Sequence, residues 1–442
     1  MAESVLIKNA TILSLSDDTS LSTGDILVEK NKIAAIGENL TSDVAKVLDA
    51  SGLVAMPGFI QTHTHLCQTL FRNYANDLQL LDWLKRRIWP FEAAHTPASL
   101  AASARLGIIE LIKSGTTTIL DFGSVYHTEA ILEEVAASGL RASVGVTFMD
   151  EGDEVPPDLL RPAADSLQYF RELTTQWHNF ADRRITINLS PRFALSCSKQ
   201  ILQELGEISK SEDFLLHTHS SENRQEVAFI RDRFDVGNVM FYHKCGMTGP
   251  NLCLAHCIWL DEEEIEILKE TDTRVLHCPT ANLKLASGIA DIPRYLNENI
   301  LCSIGTDGPP CNNNLNMFTE MRLAGLIQKP KYGPKIMPAK TLVEMATIQG
   351  AKTMHLESQI GSLEVGKKAD IILLDLKTIN CIPGSDIFNQ LVYSAQTENV
   401  RTVLIDGKII MENRNLLAIN ENEAIATAEQ ELKMLLEKVK LS

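Results

Sequence analysis

The segment Pro57-Gly-Phe-Ile-Gln-Thr-His-Thr-His65 marks the point at which the pattern of the chain changes. After it, short apolar runs alternate with helical stretches. About eight such alternations within about 250 residues are the signature of a (β/α)₈ TIM barrel. The predicted barrel strands span residues 58–61, 116–121, 141–147, 185–189, 214–219, 251–256, 274–277 and 301–305.

Helical stretches separate these runs, as the barrel requires. The predicted helices span residues 98–113, 129–138, 199–210, 222–233, 261–270 and 292–297. A doubly wound open sheet is the alternative α/β fold, but no G-x-G-x-x-G motif opens any of these helices. The sequence therefore favours the barrel.

Both ends of the chain are predicted to contain strands. Strands are expected at residues 5–13, 24–29 and 32–36, and again at 370–375, 400–404 and 408–411, after a helix at 341–354 and before one at 421–440. The terminal segments, 1–56 and 357–442, are therefore expected to pair into one small split β-sandwich. The barrel, residues 57–356, is inserted into it.

The composition restricts the partners and the compartment. The chain has 442 residues, with 41 Lys+Arg against 57 Asp+Glu and a formal charge of −16. Binding to nucleic acid or to an anionic membrane surface needs an excess of cations, so neither is expected. The start lacks a secretory signal pattern, and no run reaches the ~18 apolar residues of a membrane span. Nine cysteines without C-x-x-C spacing are typical of reduced thiols, which predicts a cytoplasmic protein.

Histidine pairs follow two of the predicted strands. His63 and His65 are two positions apart, so both side chains face the same side of the strand and can clamp a metal ion. The pair His217 and His219 ends another run, and Glu222 follows three residues later. One of these two histidines is a candidate ligand, and core packing is the alternative for His217.

Further candidates follow the later strands. Asp307 ends the last predicted barrel strand, although an isolated Asp in that place is also a common helix cap. Three imidazoles and one carboxylate suit a single divalent ion, Zn²⁺ first and Fe²⁺ as the alternative. His256 and His277 end two other runs, and either can polarise water or a substrate. All these residues are expected at the strand ends where barrel enzymes place their sites.

Six blocks of the chain resemble the amidohydrolase superfamily over essentially its whole length. They span residues 57–65, 77–84, 114–118, 282–288, 305–314 and 361–371. They are similar to the branch of methylthioadenosine/S-adenosylhomocysteine deaminases, 5′-deoxyadenosine deaminases and triazine hydrolases. The resemblance implies one metal ion, held by a four-residue ligand set: His63, His65, His219 and Asp307. It also implies that Glu222 transfers protons, with Asp307 as a further catalytic group, and that His256 contacts the substrate or the attacking water.

The resemblance leaves several substrates open. Glu92 matches a glutamate that holds ribose hydroxyls, whereas Gln68 and Arg192 resemble guanine deaminase residues that read the purine edge. Val146 stands where methylthioadenosine-type enzymes often have an arginine, which disfavours an anionic tail. We expect a deaminase that releases ammonia from an adenine nucleoside with a small 5′ group, 5′-deoxyadenosine or methylthioadenosine. The alternatives are a guanine-like aminopurine or pterin deaminase and an s-triazine amino- or chlorohydrolase. The substrate is expected to be a small neutral heterocycle, and family analogy suggests a homodimer or higher homo-oligomer.

Overall fold

Two sheets and the helices around them make up the described part of the chain. The computed structural model describes residues 4–16, 21–43 and 45–439. The strands there are β1 (Ser4–Leu13), β2 (Leu21–Glu29), β3 (Lys32–Gly37), β4 (Ala45–Asp49), β5 (Val54–Pro57), β6 (Phe59–Thr64), β7 (Thr116–Ser124), β8 (Arg141–Phe148), β9 (Ile185–Pro191), β10 (Leu216–Ser220), β11 (Leu252–His256), β12 (Arg274–His277), β13 (Cys302–Ile304), β14 (Ile371–Leu374), β15 (Val400–Ile405), β16 (Lys408–Glu412) and β17 (Asn415–Leu416).

Helices follow most of the barrel strands and also close the chain. They are α1 (Leu80–Trp83), α2 (Trp89–Ala93), α3 (Pro97–Lys113), α4 (Thr128–Ser138), α5 (Ala163–Trp177), α6 (Phe180–Arg183), α7 (Lys199–Glu212), α8 (Arg224–Phe234), α9 (Asn238–Lys244), α10 (Glu262–Glu270), α11 (Pro279–Lys284), α12 (Ile292–Asn297), α13 (Pro309–Asn312), α14 (Met317–Tyr332), α15 (Ala339–Met345), α16 (Ile348–Thr353), α17 (Ile387–Asn389) and α18 (Glu421–Lys438). Among the described residues, no helix combines the length and the apolar character needed to span a membrane.

The predicted α/β barrel is confirmed. Strands β6 to β13 form an eight-stranded parallel sheet in chain order. The first and last strands meet, because Asp307 N–H donates to the carbonyl oxygen of His63 over 2.9 Å and the hydroxyls of Thr62 and Ser303 lie 2.8 Å apart. The strands are continuous buried runs, as expected for parallel strands that are covered on both faces.

A separate mixed sheet forms from the two ends of the chain, as the sequence predicts. Its order is β17-β16-β15-β14-β5-β1-β2-β3, and β4 pairs with β1. The join between the two ends is the antiparallel pairing of β14 with β5, in which Ile371 lies opposite Pro57. Arg141 on the barrel donates to the Asp370 carboxylate of this region over 2.7 and 3.0 Å, and both side chains are buried.

Two helix predictions differ from the structure. The single helix expected at 341–354 is two helices, α15 and α16, because Thr347 is non-helical with φ −135° and ψ −95°. The helix expected from Glu222 begins at Arg224, because Asn223 caps it by accepting from the N–H of Gln225 over 2.9 Å. Glu222 therefore stays in the loop at the end of β10. The predicted helix end at residue 440 lies outside the described residues.

Candidate metal centre

Four predicted ligands converge at the carboxyl ends of the barrel strands. His63 lies on β6 and His65 directly after it, His219 lies on β10, and Asp307 follows β13. One ligand atom of each lies within 4.8 Å of the others. This is the end of the barrel where such enzymes place their sites.

The separations between the ligand atoms suit a small divalent ion. His63 Nε2 and His65 Nε2 lie 3.4 and 3.3 Å from Asp307 Oδ1, and His65 Nε2 lies 3.3 Å from His219 Nε2. A tetrahedral zinc site with bonds of about 2.1 Å has ligand atoms about 3.4 Å apart. His63 Nε2 is buried and has no hydrogen-bond partner among the described residues. The arrangement therefore fits an ion between these groups.

Hydrogen bonds behind two of the imidazoles fix their orientation. His219 Nδ1 donates to the carbonyl oxygen of Arg192 over 2.6 Å, and His63 Nδ1 lies 2.7 Å from His217 Nε2. Partners of this kind orient metal-binding histidines. Burial, followed by the neighbouring imidazoles of His63 and His65, lowers the pKa of both His217 and His219 well below the usual value. Both are therefore neutral at pH 7, which is the state that binds metal.

The Asp307 carboxylate is ionised in this environment. Burial opposes ionisation, but the adjacent His63 and His65 imidazoles hold the pKa of Asp307 well below the usual value. Asp307 has φ 64°, and His256 has φ 75°, so both lie in the left-handed region that non-glycine residues rarely adopt. Strained backbone of this kind concentrates at functional sites.

Glu222 and His256 lie beside the four predicted ligands. His256 Nε2 is 3.4 Å from Glu222 Oε2 and 3.9 Å from Asp307 Oδ2. His256 Nδ1 lies 2.8 Å from Asn282 Oδ1, which holds the ring and leaves Nε2 facing the site. Burial, followed by the Asp307 charge, raises the pKa of Glu222 well above its usual value. Glu222 can therefore carry a proton at neutral pH.

The sequence reasoning missed Glu226, which supports Glu222. Its Oε2 accepts from the N–H groups of Glu222 and Asn223 over 2.8 and 3.3 Å. Its Oε1 accepts from Asn238 over 2.5 Å. The signal was present in the sequence, because Asn223 followed three residues later by Glu226 is a capping box. Asn282 is the first residue of the family-like block 282–288, but the sequence alone gives no role for it.

Three of the predicted substrate contacts, Gln68, Glu92 and Arg192, lie together. Gln68 Nε2 donates to Glu92 Oε1 over 2.8 Å, and Arg192 pairs with the same carboxylate through both of its terminal nitrogens. All three side chains are almost fully buried. Burial opposes ionisation of Glu92, but Arg192 and then Gln68 hold its pKa below the usual value. Gln68 Oε1 is a buried acceptor without a partner in the described chain.

Two cavities border this cluster. A space of about 230 Å³ is lined by Glu92, Tyr126, His127 and Asp158 among others. A smaller space of about 30 Å³ adjoins His219, Glu222, His256 and Asp307. His65 and Arg192 line both cavities. Both cavities therefore border the predicted metal centre through His65.

His277 does not join the ligand group. It is buried at the end of β12, and neither ring nitrogen has a hydrogen-bond partner among the described residues. Burial lowers its pKa to about 3, so it is neutral. The sequence left open whether His256 or His277 polarises water or a substrate. In the structure, His256 lies next to Glu222.

Comparisons with known proteins show the family of the chain. The model of the amidohydrolase family matches residues 54–410. The chain belongs to this family. It is 38 % identical over 426 residues to a 5′-deoxyadenosine deaminase of Methanosarcina acetivorans, covering 96 % of each chain. It is 36 % identical to a 5-methylthioadenosine/S-adenosylhomocysteine deaminase of Thermoanaerobacter pseudethanolicus over 438 residues, covering 98 % of this chain and 100 % of the relative.

The fold also matches a solved metalloenzyme of this kind. A crystal structure of an adenosine deaminase from Xanthomonas campestris with bound zinc has a TM-score of 0.92, 27 % identity and 98 % coverage of both chains. The resemblance inferred from the sequence blocks is confirmed, and the chain is a hydrolase.

Proposed function

We propose that the chain is a zinc-dependent aminohydrolase that converts an adenine nucleoside with a small 5′ group, 5′-deoxyadenosine or methylthioadenosine, to the oxo product and ammonia. The observation that carries the proposal is the convergence of three imidazoles and Asp307, with Glu222 and His256 beside them. The named deaminase relatives support the reaction class.

The proposed metal site consists of His63, His65, His219 and Asp307. A divalent ion held there would supply a Lewis acid, which lowers the pKa of water from ~15.7 towards neutrality. The donor set favours zinc, with iron as the alternative.

The catalytic residues would divide the proton transfers. Protonated Glu222 gives its proton to a ring nitrogen, which makes the carbon that bears the amine electrophilic. Asp307 accepts the proton of the attacking water, and His256 Nε2 faces the oxygen that is added. Asp307 then passes that proton to the departing amine, and Glu222 regains a proton from the added hydroxyl group as the oxo product forms. Groups of this kind each contribute about 10²–10⁴-fold to the rate.

The larger cavity supports a substrate with a sugar-sized substituent. Glu92 and the predicted ligand His65 both line this space of about 230 Å³, where the Glu92 carboxylate can accept a ribose hydroxyl. Among the lining residues that the structure describes, Arg192 is the one Lys or Arg side chain, and it is paired with Glu92. Asp158 adds an acidic group. A neutral 5′ substituent is therefore favoured over a carboxylate-bearing tail.

A second candidate is a deaminase of guanine or a related aminopterin base. The observation that favours it is that Gln68 and Arg192 already donate hydrogen bonds to the Glu92 carboxylate. Glu92 is therefore less able to accept two ribose hydroxyls. The unpartnered Gln68 Oε1 can in turn accept an N–H group of a base. Gln68 and Arg192 would then read the edge of the ring.

An ammonia-release screen separates these candidates. The zinc-loaded protein is assayed with 5′-deoxyadenosine, methylthioadenosine, S-adenosylhomocysteine, guanine and melamine. The proposal expects the highest kcat/KM for one of the first two and a lower value for S-adenosylhomocysteine. Preferential turnover of guanine would support the second candidate, and turnover of melamine alone would contradict both.

Three broader statements complete the proposal. We infer that residues 1–56 with 357–442 form one unit and residues 57–356 another, supported by the pairing of β5 with β14. We also infer a cytoplasmic enzyme that does not act on nucleic acid. All nine cysteines, which fall within the described chain, are free and buried, and the charge of −16 supports the exclusion of polyanions. A homo-oligomer rests on family analogy alone.

A further inference from the structure

His217 occupies the layer of the barrel below the ligand His219. Both lie on β10 and face the same side, because they are two residues apart on a strand. His217 is fully buried, and its Nε2 lies 2.7 Å from Nδ1 of His63, the ligand on β6. This contact joins the ligand-bearing strands from opposite sides of the barrel interior.

The chemistry of the ligand assigns the proton in this contact. His63 Nε2 faces Asp307 Oδ1 at 3.4 Å and must keep its lone pair free to bind an ion. The proton of the neutral His63 ring is therefore on Nδ1, and it is donated to the lone pair of His217 Nε2. We propose that His217 is a positioning residue, a neutral acceptor that holds His63 in the tautomer and ring orientation that the metal requires. This inference rests on the metal dependence in the proposed function and not on the identity of the substrate.

The other oriented ligand depends on the backbone. His219 donates to the carbonyl oxygen of Arg192, which no side-chain substitution removes. The orientation of His63, in contrast, is set by the side chain of His217 and can be tested by mutation. The aromatic neighbours of His63 include Phe122 and His65 at ring distances of 6.1 and 4.9 Å. These two rings limit the space in which the His63 ring can move, but they do not determine which of its nitrogens carries the proton.

The choice of imidazole as the acceptor has an electrostatic consequence. Metal-binding histidines more often donate to a carboxylate, a backbone carbonyl or water. A carboxylate at position 217 would add a second negative charge beside Asp307 in a fully buried layer. The neutral ring of His217 accepts the same hydrogen bond without adding that charge. A bound ion would therefore keep more of its Lewis acidity than it would beside a carboxylate.

Three variants test the proposal. His217→Leu removes the acceptor and leaves the His63 donor unsatisfied, whereas His217→Gln keeps an acceptor oxygen. His277→Leu is the matched control, because His277 is equally buried at the end of a barrel strand but has no hydrogen-bond partner among the described residues. The zinc dissociation constant of each apo protein is measured by competition with a chromophoric chelator, and thermal unfolding of the apo proteins reports structural damage.

The expected result separates positioning from packing. His217→Leu should weaken zinc binding by about 10–100-fold, His217→Gln by much less, and His277→Leu by under about threefold. Wild-type affinity in folded His217→Leu, or an equal loss in His277→Leu, would overturn the proposal. If His217→Leu does not fold, the Co²⁺-loaded His217→Phe protein, which keeps a ring at this position but offers no acceptor to His63, is compared with wild type. A changed visible absorption spectrum supports the role, and an identical spectrum with identical affinity contradicts it. These readouts need no substrate, so failure to release ammonia would count against the proposed function without affecting this result.

Discussion

Substitution of Glu92 by Gln distinguishes a nucleoside enzyme from a free-base enzyme. The Glu92 carboxylate lines the larger cavity together with the predicted ligand His65, and it is the acceptor proposed for ribose hydroxyls. Glu92→Gln keeps the shape but removes the charge. A hydrogen bond to a charged group contributes about 1.5–3 kcal/mol. We therefore expect kcat/KM for 5′-deoxyadenosine to fall by about 10–150-fold, mainly through KM.

The same substitution alters the stability of the protein, and this effect must be measured separately. The Arg192 and Glu92 side chains are only 5 % and 8 % exposed, so breaking the pair leaves a buried cation. Complete loss of a buried partner costs about 3–5 kcal/mol. Because Gln retains one acceptor oxygen for Arg192, we expect a smaller loss of about 1–3 kcal/mol in the free energy of unfolding, measured in urea.

The assay compares two substrates and one control variant. Ammonia release from 5′-deoxyadenosine and guanine is measured for wild type, Glu92→Gln and Asp158→Asn. Asp158 lines the same cavity but is exposed, so its variant should change kcat/KM by less than about threefold, as is usual for a screened surface charge. Equal losses for nucleoside and base in Glu92→Gln, or no loss for either, would refute the role of Glu92 as a ribose ligand.

Three further predictions concern the site and the fold. Asp307→Asn should lower turnover by at least about 10²-fold while the midpoint of apo unfolding stays near that of wild type, and wild-type rates would contradict its role. Arg141→Met should destabilise the protein by about 3–5 kcal/mol in urea, because it leaves Asp370 buried without its partner; Arg401→Met, at a half-exposed position on β15, is the control. Burial raises the pKa of Glu320 to about 7. Between pH 4.5 and 7 this carboxyl group is therefore ionised in the unfolded chain but protonated in the folded state, so the free energy of unfolding falls as pH rises. Glu320→Gln should remove up to about 3 kcal/mol of that decline. The free energy of unfolding of both apo proteins is measured in urea from pH 5 to 7.5. An equal fall with pH in wild type and Glu320→Gln would show that Glu320 does not cause the decline.

The barrel and the first pair of candidate ligands were accessible from the sequence because both depend on local patterns, whereas the full predicted ligand set came from the family resemblance. Strand runs alternate with helices along the chain, and the i, i+2 spacing of His63 and His65 alone places both rings on one face. The contact between His63 and His217 was not accessible in this way. It depends on how β6 and β10 approach each other inside the barrel, and the two residues are 154 positions apart.

The same reasoning applies to the substrate contacts. Gln68, Glu92 and Arg192 were each selected by resemblance, but their mutual pairing spans up to 100 residues and carries no local signal. The break between α15 and α16 was missed because β-branched Thr347 is tolerated in helices, and its hydroxyl donation to the carbonyl of Val343 over 2.6 Å is visible only in the folded chain. The capping box at Asn223 was local and would have corrected the start of α8.

Metal-dependent deamination is tested most directly by ammonia release from 5′-deoxyadenosine in matched apo and zinc-reconstituted samples. Chelated protein should release no ammonia, and activity should rise in proportion to added zinc until one equivalent is bound per chain. Undiminished turnover by the chelated protein would contradict metal dependence. Absence of ammonia from the zinc-loaded protein with every nucleoside and base in the screen would contradict the proposed deaminase.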